Sequence, residues 1–181
     1  MNSKKKYLPI MVIHSISMAV VLMFSLVEFL VGKETTAVKA STFLSFITLI
    51  FAFIYFLGGY KKKNSIYYYS TLGTYIIHNI MIIVSLFSMK ANNYFAIIGV
   101  FVETIIVLLL IVVDNLGVDR SLILCGILLL INVFNFISSL INNIIVTYNS
   151  SISAFANLSL AVTIVFMVLA KCADKLKRHR K

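Results

Sequence analysis

The stretch AIIGVFVETIIVLLLIVV, residues 96–113, has one charged side chain, Glu103, in an otherwise apolar run. At helical rise it reaches about 27 Å, close to the roughly 30 Å hydrocarbon core of a bilayer. A membrane β-strand would be near ten residues and alternate in polarity; this stretch does neither. It reads as a helix that crosses a membrane with a carboxyl group near its middle.

Five further runs behave the same way. The six together cover about 8–32, 38–59, 66–89, 94–113, 121–146 and 150–170, each at least 20 residues long. The whole chain is 61% hydrophobic and 12% charged, with a mean hydropathy of +1.02. Soluble domains hold about 45–50% apolar and about 25% charged residues. The expected fold class is therefore all-α: a polytopic integral membrane protein with six transmembrane helices in a compact antiparallel bundle. Residues 1–181 are expected to form one transmembrane domain ending in a basic cytoplasmic tail, 171–181. The first run is too long for a cleavable signal peptide and has no small-residue cleavage site before the next span, so it is expected to stay.

Charge gives the threading. The net charge of +10 comes largely from KKK at 4–6, KKK at 61–63 and KCADKLKRHRK at 171–181. These clusters border apolar runs, where they set topology and contact anionic lipid heads. Nucleic-acid binding would need a basic face on a folded domain and is not expected. With both ends inside, the three clusters and Arg120 place 13 of the 16 Lys and Arg on the cytoplasmic side, leaving Lys33, Lys39 and Lys90 outside. That bias predicts an N-in, C-in protein of the cell membrane, with the lipid bilayer as its first partner. The tyrosines of YKKKNSIYYY, 60–69, fall at the inner interface, which suits their amphipathic rings.

The loops are too short to hold a catalytic or receptor domain, so function must use the bundle. In the inner loop DNLGVDRS, 114–121, Asp119 or Ser121 is expected to cap the following helix. Cys125 and Cys172 show no C-x-x-C or metal spacing; they read as a small buried residue and a juxtamembrane thiol. No H-E-x-x-H, G-x-S-x-G, P-loop or G-x-G-x-x-G occurs. The expectation is a protein that is not an enzyme, with no metal and no cofactor. His14 and His78 differ in expected depth by about 6–9 Å, which argues against a haem pair.

Ionisable and amide side chains inside a bilayer are costly and normally face the bundle interior. Counting depth along each run puts His78, Glu103, Asn132 and Asn135 near one level, on three consecutive helices. On the third run Thr71, Thr74, His78, Ser85 and Ser88 share a stripe. On the fifth, Asn132, Asn135, Ser139, Asn142 and Asn143 do so. The amide stripe would line a groove from the midplane to the outer surface. The predicted ligand-binding residues are His78, Glu103, Asn132, Asn135, Ser139 and Asn142. Ser41, Ser45, Ala52, Tyr55 and Gly59 on the second run, and Ala154, Asn157 and Ala161 on the last, form stripes of mostly small residues that let helices approach closely. His14 reads as a packed core histidine and Glu28 as an interfacial residue near Lys33.

These features predict a small multi-pass protein that binds or transports a small polar solute through an intramembrane pocket. In size, six spans and both ends inside, it resembles the substrate-capturing subunits of energy-coupling-factor transporters. That resemblance implies a membrane or cytoplasmic partner subunit. The first run, LPIMVIHSISMAVVLMFSLVEFLV, lacks the alanine-x-x-x-alanine pattern those subunits often carry. One alternative is a non-transport sensor, regulatory or assembly subunit whose polar residues only lock helices together; another is an oligomeric proton or cation pathway through Glu103.

Overall fold

A computed structural model describes residues 36–57, 64–88, 94–112, 118–145 and 149–179, and residues 12, 15, 16, 18–20, 23, 26 and 30 of the first run. All are helical, in six helices. Helix α1 is described at the nine positions just named. The others are α2 (Thr36–Leu57), α3 (Asn64–Ser88), α4 (Tyr94–Val112), α5 (Val118–Ile145) and α6 (Asn149–His179). His14, Glu28 and residues 114–117 lie outside the described residues, as do the lysine clusters at 4–6 and 61–63.

Among the described residues, four helices contain stretches long and apolar enough to cross a membrane: Thr36–Phe56, Ile66–Phe87, Val118–Ile141 and Ala154–Cys172. Helix α4 is apolar over Ile97–Ile111. The burial pattern agrees with a lipid-facing exterior. Phe43, Phe53, Phe87, Leu130 and Phe134 are exposed, while Thr48, Thr71, His78, Asn79, Glu103 and Asn132 are buried. Water would favour the reverse; hydrocarbon favours apolar surface outside and polar groups inside. The chain is an all-helical membrane protein.

Hydroxyls are tolerated inside because they bond to their own helix. Ser41 donates to the Val38 carbonyl at 2.8 Å, Thr48 to Leu44 at 2.8 Å, Thr71 to Tyr67 at 2.7 Å and Thr104 to Val100 at 2.8 Å. Each bond takes up a carbonyl lone pair one turn back and keeps these four hydroxyls from being stranded. Across helices, the Thr48 and Thr74 hydroxyl oxygens lie 2.9 Å apart. The stripe of small residues predicted on α2 is buried at Ser41, Ser45 and Ala52, and α2 packs closely on α3.

Helix α3 packs against α2, α4 and α6, and α6 against α2 and α5. The core joins them through Leu72, Tyr75, Val107, Leu128, Leu160, Ile164 and Met167. Helix α6 continues past its apolar span through the basic segment from 171 to His179. Ala, Lys, Leu and Arg are strong helix formers, and neither Gly nor Pro interrupts them. Asp119 and Ser121 are not caps, because both lie inside α5. Asp119 occupies its first turn, where the helix dipole favours a carboxylate. Cys125 and Cys172 are unpaired thiols, and both are buried.

Candidate functional site

Glu103 has nine helical residues on either side in α4. It is 3% exposed. Val100, Glu103, Val107 and Leu110 repeat at three and four residues, which turns all four toward the core. From α3, the Tyr75 hydroxyl donates to Glu103 Oε2 at 3.1 Å. From α5, the Asn135 amide donates to Oε1 at 3.4 Å. Asn132 faces both Glu103 and Tyr75, and its nitrogen donates to the Leu128 carbonyl at 3.0 Å. Among the described residues no Lys, Arg or His contacts the carboxyl group.

Gly99 makes this approach possible. A Cβ there would lie 3.0 Å from Asn135 Nδ2 and 3.3 Å from its Oδ1. Real Cβ atoms rarely stand that close to a neighbour, so the bare backbone lets the Asn135 amide fit beside α4 one turn before Glu103.

His78, 3% exposed, belongs to a different set. Its Nδ1 lies 2.8 Å from the Ser41 carbonyl of α2, and its Nε2 lies 3.0 Å from Asn157 Oδ1 of α6. A carbonyl only accepts, so Nδ1 carries a proton. The Asn157 amide can serve Nε2 in either state, giving a proton to neutral imidazole or accepting one from imidazolium. His78 is thus bonded at both ring nitrogens, on α2 and α6, and does not pair with Glu103. Tyr75 stands next to both sets: its hydroxyl is on Glu103 and its ring centroid is 6.0 Å from that of His78.

The remaining predicted residues divide. Asn132 is buried, and Asn135 and Ser139 are half-buried on the same face of α5. The Ser139 hydroxyl is enclosed without a partner. The side chains of Asn142 and Asn143 lie outside the described residues. On α3, Thr71 and Ser85 are buried and Thr74 half-buried, as the stripe predicted.

Tyr75 and Asn79 were not among the predicted residues. Both are buried, at 0% and 1% exposure, and Asn79 flanks the Tyr75 hydroxyl. Their signal was the four-residue row Thr71, Tyr75, Asn79, which shares the face of His78. The partnership of Asn157 with His78 had no local signal, because it joins positions 79 residues apart.

Chemically, the arrangement can hold a carboxyl group in fixed orientation away from water, with neutral donors on both oxygens. No group of three or more potential metal ligands of the His, Cys, Asp and Glu type occurs among the described residues. Compared with known proteins, the chain matches no family model, no curated protein and no solved structure.

Proposed function

We propose that the protein is a six-span, N-in, C-in protein of the cell membrane that binds a small solute at the Glu103 layer and serves a transport system as its capturing subunit. The carrying observation is a carboxyl group midway along α4, 3% exposed and held by Tyr75 and Asn135 from two other helices, with no cation from the described residues beside it. A carboxylate placed so at a high desolvation cost is a functional site by default. The antiparallel arrangement draws support from paired positions that run in opposite directions. Ser41 meets His78, Thr48 meets Thr74 and Tyr55 meets Tyr68. At the predicted cytoplasmic end, Lys171 Nζ lies 4.1 Å from the Tyr68 ring centroid, as suits a basic and aromatic interface.

The test is a thermal-shift screen of the purified full chain against amino acids, nucleosides, vitamins and inorganic salts, repeated with Glu103→Gln and Asn135→Ala. At least one compound should raise the melting temperature of the unsubstituted protein and lose that effect in both variants. If both variants only melt lower, with every ligand response unchanged, the site reading fails.

One observation favours the second reading, that of a lock between helices. Both His78 nitrogens are taken, by Ser41 and Asn157. His78 acts as a bolt joining α2, α3 and α6, whatever Glu103 does.

A further inference from the structure

Resting on the reading of the Glu103 layer as a binding site, we infer that its ligand is one small monovalent cation, an alkali ion or a proton, held where α3, α4 and α5 meet. Charge is the first reason. Tyr75, Asn132 and Asn135 bring dipoles to the carboxyl group but no positive charge. An ionised carboxylate so enclosed is strongly disfavoured until one positive charge joins it. One carboxylate balances one such charge.

The donor chemistry is the second reason. Each carboxyl oxygen accepts one hydrogen bond from these partners and keeps a further lone pair. The phenolic oxygen of Tyr75 adds a hard donor. Asn132 and Asn135 use their nitrogens as donors, to Leu128 and Glu103, so the oxygen is the end of each left to accept. The groups around the carboxyl group hold oxygen and nitrogen but no sulfur, which suits hard cations, not soft ones.

Size is the third. Tyr75, Asn132 and Glu103 are 0%, 2% and 3% exposed, and at Gly99 a single added carbon would crowd Asn135. Such close packing favours a bare ion or a proton over an organic solute. The fourth reason is independent of the carboxyl group. Asn79 Nδ2 is buried, makes no close hydrogen bond, and has the Tyr75 hydroxyl as its polar neighbour. A buried donor without a close bond implies an oxygen not supplied by the protein, and a water retained by a bound ion would provide it. The titratable group facing Glu103 from α3 is Tyr75; α5 presents the amides of Asn132 and Asn135. His78 is engaged on the other side by Ser41 and Asn157.

The test uses the purified full chain in lipid nanodiscs. Melting temperature is followed against LiCl, NaCl and KCl, with choline chloride holding ionic strength, and separately against pH. Either one alkali ion or acidification should raise the melting temperature saturably, by about 3–6 °C at tenfold excess over Kd. Glu103→Gln should abolish the response, and Tyr75→Phe should move its midpoint to higher concentration. Dependence on one alkali ion at fixed pH identifies a metal ion; dependence on pH alone identifies the proton. Parallel curves for the unsubstituted chain and Glu103→Gln overturn the inference. If Glu103→Gln does not fold, unchanged midpoints in Tyr75→Phe and Asn135→Ala overturn it. A panel solute that still binds through Glu103 while cations do not would sink the cation and leave the site standing. If neither responds to Glu103, both fall.

Discussion

Gly99→Ala probes the contact between α4 and α5 with one added carbon. That carbon would lie 3.0 Å from Asn135 Nδ2, so the amide must move by a few tenths of an ångström. Its hydrogen bond to Glu103 is already 3.4 Å long, near the limit of such a bond. Moving the amide away breaks the bond. Hydrogen bonds between membrane helices average about 0.6 kcal/mol and reach about 1.7 kcal/mol. Against this loss stands the gain from replacing glycine in mid-helix, about 0.5–1 kcal/mol. In the unsubstituted background the two nearly cancel, so the single substitution is a poor reporter.

A double-mutant cycle separates them. In Asn135→Ala the clash and the bond are both absent, so Gly99→Ala should stabilise by the full helix-propensity gain, about 0.5–1 kcal/mol. The difference between the two backgrounds isolates the coupling, expected at about 0.6–1.7 kcal/mol. Reversible unfolding of the four proteins in mixed detergent–lipid micelles measures it. Strict additivity would refute the reasoning, because it would mean that position 99 does not touch the Asn135 amide.

Two other substitutions test neighbouring elements by the same unfolding assay. His78→Ala should destabilise by about 1–3 kcal/mol, by removing two interhelical bonds and stranding the Asn157 amide; Asn157→Ala should add little on top of it, and full additivity would show that the two side chains do not interact. Asn79→Leu should leave stability unchanged or raise it by about 1 kcal/mol if the amide is merely stranded, but should weaken the cation response if the amide holds the ion's water; an Asn79→Leu protein with an unaltered cation midpoint would detach that amide from the site.

Depth along a helix was legible in the sequence; direction around it was legible only in part. Counting residues placed Glu103, Asn132 and Asn135 at one level, and the structure brings Glu103 and Asn135 into contact. The same count placed His78 beside them, yet His78 looks toward α2 and α6. On α3, Tyr75 and His78 are three residues apart, about 60° in projection. That is enough for one hydroxyl to reach α4 while the neighbouring ring serves the other side. Which side each takes depends on where the neighbouring helices stand, and no local pattern holds that. Tyr75 was hidden for a second reason. Tyrosines 67–69 read well as an interfacial belt, and nothing in its residue type set Tyr75 apart from them.

The two polar sets can be told apart by whether their bonding is complete. A bolt between helices is most stable when every donor and acceptor is matched, because an unmatched group in hydrocarbon is expensive. The His78 set meets that standard: both nitrogens have partners, and each comes from another helix. The Glu103 set does not. It combines a carboxyl group lacking a cation, an enclosed Asn79 nitrogen without a close hydrogen bond, and an enclosed Ser139 hydroxyl on the same face of α5 as Asn135. Packing alone gives no reason to keep three such deficits in one part of the bundle, since apolar residues of similar size would fit there at lower cost. A ligand gives one, because it needs protein groups left unmatched until it arrives. The incompleteness of the Glu103 layer, more than its polarity, is the ground for proposing it as the part of this bundle that binds.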